Sequence, residues 1–536
     1  MAFGFFKKVE TADKIFHNGH IYTQDPQLPW AEAVAVKGEK IMGVGNLEGM
    51  DALVGKDTEL IDLDGKYLLP GFIDVHRSPV LKVFEGKFLD LSEAKSTEEV
   101  LEMVRDYAEE NPELEIVFGY GYRDDLKPDD EAFIEGEEDN TEECEGEPAE
   151  AEAATEASEL ENSEYTDEAE AIETETECEA SELTDSEAEV LVEIDYEPSP
   201  SALALSKACA DRPVLLLCAN CVECWTNEAA DKIVIATAEE EYVQNITTGY
   251  VLNLLIPFDF EEIEAKVKEE IEALSDGGFT SVLNVGSPDY FEGIYQDALI
   301  GLYNEGELRQ RFFGSMFANR PLLPRVLVHR LMSRRTACTE LNGILNADML
   351  YLYLDNENSP IPFKQETLDK ICEDVSDKSF GIFLEAIGKD DVLMAYNALE
   401  HIRNKGYKNE FVIASDFELP DEEHAEREQS SFVYKTWGTN PLADRSVYGH
   451  IGTATEVIDE LTTQAARIIG KEEEIGSIMA GKYADFAIFD ENPLDCEVKT
   501  ISRLHASMTV LNGEIVYNAE SENEMEMWDM MTGQQY

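Results

Sequence analysis

Residues 71–79, GFIDVHRSP, close an apolar run with an aspartate, a histidine and an arginine. Successive side chains of a β-strand alternate between its two faces, so His76 and Ser78 share a face there. Two histidines in that relation can grip one metal ion, but a neutral serine hydroxyl is a poor replacement for imidazole. Hydrolysis at a metal needs about three protein ligands, which hold the ion while it acidifies a bound water. His17 and His20 fall in a β-rich start and His401 in the helical stretch YNALEHIR, and no coordination partners stand beside them in the sequence.

Other reactive groups are incomplete sets. Cys218, Cys221 and Cys224 have C-x-x-C-x-x-C spacing, which suits zinc or part of an iron–sulfur cluster, but no fourth cysteine is near. Cysteine leaving an apolar strand is also a common small buried residue. An acid–base pair such as Asp355 with Glu385 works only if burial separates the two pKa values, which a sequence does not reveal. Phosphate-binding glycine loops and a G-x-S-x-G nucleophile elbow are missing.

These residues need elements to hold them. KIFHNGHIYT, EAVAVKGEKIMGVG and TELIDLDGKYLL read as short strands with glycine turns, as do GSIMAGKYADFAIFD and SMTVLNGEIVYN, the last with Asn512-Gly513 as a tight hairpin. Two β-rich ends predict one small β-sandwich assembled from both termini, residues 1–70 with 471–536. Between them strands and helices alternate. In EEIEAKVKEEIEALSDGGFTSVLNVG, Ile263, Val267, Ile271 and Leu274 share a helical face, Gly277-Gly278 stop the helix and a β-branched run follows. FGIFLEAIG, DDVLMAYNALEHIRNKG, EFVIAS and PVLLLCAN continue the pattern, so an α/β class of parallel strands covered by helices is expected over 71–470.

Charge is the unusual bulk property. The 536 residues carry 115 acidic against 41 basic side chains, a net charge of −74, which repels nucleic acid and anionic membranes and favours a basic protein partner. Residues 129–197 hold 31 Asp and Glu and no Lys or Arg, so this segment is expected to be a disordered acidic insertion. Removing its 31 acidic residues leaves the rest near −43. Neither a cleavable leader nor 18 consecutive apolar residues is found, and the nine cysteines form no spaced framework, so a cytoplasmic protein is expected.

Four segments then acquire a common meaning: NGHIYTQDP, WAEAVAVKGEKIMGVG, IDLDGKYLLPGFIDVH and TTQAARIIGKEEEIGSIMAGKYADFAIFDENPL. In order and spacing they resemble the amidohydrolase superfamily, most closely its amidohydrolase-3 branch of D-aminoacylase-like and exoenzyme-regulatory-type proteins. The resemblance implies a TIM-like (β/α)8 barrel with a sandwich from both termini, zinc or another divalent metal, and hydrolysis of a small non-peptide amide. It also implies site positions, and this chain departs from most of them. His76 remains as a metal ligand while Ser78 replaces its partner. VECWTN puts Val222 at a histidine position and keeps Trp225 and Asn227. LYLYLDN puts Tyr351 at the bridging lysine and Asn356 at a glycine. FLEAIGKDD puts Glu385 at a histidine and Lys389 at an aspartate, Glu385 being able to ligate a hard cation. FVIAS puts Ala414 at a further histidine, and no G-S-D triplet supplies the catalytic aspartate. About 40 residues separate Phe411 from the helix near Thr453, and one βα crossover takes about 30, so the late barrel elements are expected to be shortened or lost. The expected protein is an amidohydrolase-like chain with impaired or absent catalysis. The alternative is a regulatory or binding scaffold, with pairing between copies left open.

Overall fold

The structure is a computed structural model describing residues 10–77, 83–84, 86–123, 126–128, 197–219, 223–237, 248–256, 259–285, 289–318, 324–339, 341, 343–357, 362–415, 431–434 and 453–521. The acidic segment up to residue 196, together with Ser78, Cys221, Val222 and the side chain of His76, lies outside them. The chain divides into two units, residues 1–128 with 201–536, and residues 129–200.

The strands of the larger unit begin with β1 (Lys14–Tyr22), β2 (Trp30–Lys37), β3 (Lys40–Gly45), β4 (Glu59–Asp62) and β5 (Tyr67–Pro70). Then come β6 (Phe72–Arg77), β7 (Leu89–Asp90), β8 (Val117–Tyr122), β9 (Val214–Cys218) and β10 (Cys224–Thr226). The middle supplies β11 (Phe279–Asn284), β12 (Arg311–Ala318), β13 (Leu345–Leu354), β14 (Gly381–Ala386), β15 (Phe411–Ser415) and β16 (Ser431–Tyr434). The end supplies β17 (Phe486–Phe489), β18 (Met508–Leu511) and β19 (Glu514–Asn518).

Strands from both chain ends share one eight-stranded sheet in the order β19-β18-β17-β5-β1-β2-β3, with β4 beside β1. The β18–β19 hairpin turns at Asn512 and Gly513, both at positive φ (52° and 78°), as a two-residue hairpin requires. Within GSIMAGKYADFAIFD the strand is Phe486–Phe489, and Gly476 and Gly481, at φ of 83° and 95°, turn the chain before it.

Seven parallel strands form the α/β part, in the order β16-β15-β14-β13-β12-β11-β6. PVLLLCAN, read from sequence as part of this series, instead places β9 in a separate four-stranded sheet, β10-β9-β8-β7. There β9 pairs parallel with β8, as a βα unit requires, while β10 folds back antiparallel on it. Six helices matter for the site: α1 (Phe260–Asp276), α2 (Asp289–Glu305), α3 (Pro324–Ala337), α4 (Gln365–Ser376), α5 (Lys389–Asn404) and α6 (Ala465–Ile468). Asp259 caps α1 by accepting from the Glu261 and Glu262 amides, and Ile263, Val267, Ile271 and Leu274 are buried along one face. Gly278 at φ 81° then releases the chain into β11.

Alternation along the strands sorts two cores. Leu350, Leu352, Ile382, Leu384 and Ile413 face the helices, while Val75, Phe313, Met349, Tyr351, Phe383, Val412 and Ala414 face inward. Among the described residues β6 and β16 are not hydrogen-bonded to each other. The short α6 packs against both edges and adds Ala465, Ala466 and Ile468 to the inner core, so the sheet is curled and α6 occupies the seam.

Candidate functional site

β13 and β14 bring together two of the residues singled out by sequence. In their parallel register Tyr351 lies beside Phe383 and Tyr353 beside Glu385, so Tyr351 and Glu385 sit one step apart on the inward face. The Tyr351 hydroxyl donates to Glu385 Oε2. Both are buried, at 5% and 2% exposure. The Tyr351 ring is held by Phe317 and Phe383, with centroids 5.6 and 5.4 Å away. Burial, then the Glu385 charge and the hydrogen bond to it, push the phenol well above its usual pKa, so it stays a neutral donor. On the next strand Ala414, fully buried, is in register with Glu385 and offers only a methyl group.

The other expected positions do not join this pair. Lys389 is exposed in the first turn of α5. The Asn356 side chain accepts from the Phe363 amide (2.7 Å), and the Asn356 backbone N–H donates to the Asp391 carboxylate, which also accepts from the Gly388 amide, so Asn356 and Asp391 fasten the loops after β13 and β14. His76 is on β6, at the inner sheet's edge. His20 stacks on Tyr67 in the terminal sheet, and His401 lies on α5 near Asp369 and Glu373 of α4. Cys218 and Cys224 lie on β9 and β10, and burial pushes the Cys224 thiol up to about 11, which opposes thiolate ligation.

Trp225 and Asn227 serve as scaffolding of the four-stranded sheet. The Trp225 indole donates to the Ser201 carbonyl (2.8 Å). Asn227 accepts from the amides of Val214 and Ala230 and donates to the carbonyls of Cys209 and Arg212. All of its polar capacity is spent on backbone.

Sequence reasoning missed a buried ionic cluster behind β6. Arg77 Nε lies 2.5 Å from Glu270 Oε1 of α1, and its Nη1 lies 3.7 Å from Asp74 Oδ2. Burial disfavours the guanidinium charge, but Glu270 and Asp74 outweigh it and hold Arg77 above its ordinary pKa. Burial and the Glu270 charge also push the neighbouring Tyr295 phenol of α2 well up. The available signal was the motif itself: Asp74 and Arg77 in an otherwise apolar strand are too costly to bury unpaired.

Among the described residues no three His, Cys, Asp or Glu side chains converge as a metal-ligand set. Glu385 supplies one carboxylate, its oxygen engaged by a neutral phenol and its neighbours Phe383 and Ala414 apolar. Among the described residues this donor set falls short of the three or four N, S or O ligands that zinc takes. No helix among the described residues is long and apolar enough to cross a membrane.

The sequence pattern of the Amidohydrolase family matches residues 59–182 and 449–517. The exoenzymes regulatory protein AepA of Pectobacterium carotovorum is 31% identical over 121 residues, 22% of this chain and 26% of that protein. The N-substituted formamide deformylase of Arthrobacter pascens is 30% identical over 112 residues, 20% of this chain and 21% of the enzyme. The matched segments thus span about a quarter or less of these relatives. In fold, an uncharacterized metal-dependent hydrolase from Pyrococcus horikoshii has a TM-score of 0.52 at 17% identity, covering 90% of this chain and 99% of its own. Triazine hydrolase from Arthrobacter aurescens has a TM-score of 0.51 at 12% identity, covering 97% and 98%.

Proposed function

The chain belongs to the amidohydrolase superfamily, and from that premise we propose that it keeps the scaffold of a C–N hydrolase without the metal-dependent reaction, serving as a binding or regulatory protein. One observation carries this reading: the inward face of β13–β15 presents Tyr351, Glu385 and Ala414, a neutral phenol bonded to one carboxylate beside a methyl group. A zinc-bound hydroxide needs about three ligands and a free coordination position. Ser78 and Val222, at positions where the family resemblance implies histidines, lower the donor count further. The regulatory name of one relative agrees with such a role. The acidic residues 129–197 would attract a basic protein partner.

The test is metal content and turnover together. Protein purified without chelator should hold zinc, manganese and iron far below one per chain, and should not hydrolyse N-formyl or N-acyl amines in a manner that His76→Ala abolishes. Near-stoichiometric metal, lost together with turnover in His76→Ala, would overturn the reading. Deletion of 129–197 should separately abolish capture of a basic protein while leaving the circular dichroism of the remaining fold intact.

A further inference from the structure

A cavity of about 360 Å³ opens near the N-terminal ends of β12, β13 and β14, away from the C-terminal strand ends where enzymes of barrel architecture place their chemistry. Its size falls in the range of small-molecule sites. Leu283, Phe313, Met349 and Ile469 line it and belong to the inner apolar core, so the cavity reaches between the sheet and the end of α6. Arg335, Asp348, Glu410 and Lys471 also line it.

These charged groups are not equivalent. Arg335 is committed: its Nε donates to Asp348 Oδ1 (2.5 Å), Nη1 to the Lys378 carbonyl (2.9 Å) and Nη2 to the Ser379 carbonyl (3.2 Å). Lys471 donates to Glu474 (3.2 Å). The Glu410 carboxylate is exposed, has the Arg403 guanidinium as a charged neighbour and accepts no hydrogen bond among the described residues, while its backbone carbonyl accepts from the Ile382 amide of β14. Gly470 keeps that carboxylate where it is: it sits at φ 64°, and a Cβ there would lie 2.3 Å from Glu410 Oε1. An apolar recess, two cations that already donate to partners and an exposed carboxylate with its hydrogen-bonding capacity open define what fits.

We propose that this cavity binds a compact apolar primary amine, its hydrocarbon body against Phe313 and Met349 and its ammonium on Glu410. An anion of the same shape would have to face Asp348 and Glu410 and take Arg335 from partners it already has, inside a chain of net charge −74. The inference does not depend on whether the opposite end of the barrel is catalytic.

Benzylamine, benzyl alcohol and benzoate, titrated into the full-length chain by calorimetry with ligand-observed NMR, test it. Benzylamine should bind saturably at one site, and benzoate should not. Glu410→Gln should weaken benzylamine by about tenfold or more, the loss expected for one charge-assisted hydrogen bond. Glu261→Gln, an exposed carboxylate on α1 and outside the cavity, should leave the affinity unchanged and controls for general attraction to an acidic chain. Met349→Trp should block the recess. Because that variant alters a core residue, Glu410→Gln decides if it fails to fold. Absence of saturable binding, benzoate binding as well as benzylamine, or equal losses in Glu410→Gln and Glu261→Gln would each overturn the proposal.

Discussion

Replacing Arg77 by methionine removes a charge from a place where water does not reach. The side chains of Arg77, Asp74 and Glu270 are 4%, 0% and 5% exposed, and the variant takes their shared cation from two buried carboxylates behind β6. Methionine retains much of the apolar stem, so the loss is chiefly electrostatic. Removing one partner of a buried ion pair costs about 3–5 kcal/mol. Domains have about 5–15 kcal/mol of stability in total, so Arg77→Met should bring the fold close to its limit. Urea unfolding followed by circular dichroism measures the deficit as a shifted midpoint at constant slope. Replacing the carboxylates as well identifies the cause. Adding Asp74→Asn and Glu270→Gln to Arg77→Met should restore most of the midpoint at pH 7, because neutral groups do not need the guanidinium. A deficit under about 1 kcal/mol, or one that the added Asp74→Asn and Glu270→Gln do not relieve, would refute the reasoning.

Other consequences can be measured directly. Tyr351→Phe removes the donor to buried Glu385 and should cost about 1–3 kcal/mol in urea unfolding, while an unchanged midpoint would show that the bond carries no weight. Gly513→Ala forces a left-handed residue and brings a Cβ within 2.7 Å of the Gly38 carbonyl, so a loss of at least about 1–2 kcal/mol is expected, read from thermal melting. Raising KCl from about 0.1 to 1 M shortens the screening length from roughly 10 to 3 Å, and the melting temperature should rise because a chain of net charge −74 repels itself; no rise would refute that account.

Several elements were legible in the residues because each is a local decision. The helix through Ile263, Val267, Ile271 and Leu274, its stop at Gly277-Gly278 and the Asn512-Gly513 hairpin follow from periodicity and from which residues tolerate positive φ. The turns at Gly476 and Gly481 belong to the same class, since positive φ is backbone that glycine tolerates well. β9 was legible as a parallel strand, but its place in a separate sheet beside β8 was not, since an apolar run does not state which neighbour it pairs with.

The sequence by itself determined the lineage, the charge and the donor types available: His76 without a histidine at 78, Glu385 in place of a histidine, and alanine at 414. Residue identities do not depend on folding, so these were readable at once. Tertiary structure alone decided the pairings. Tyr351 reaches Glu385 because two parallel strands set the register, and Arg77 finds Glu270 because β6 and α1, far apart in the chain, share one apolar layer. Such partners are chosen by packing and desolvation across long sequence separations, where a buried charge must find its counterpart or not be buried at all.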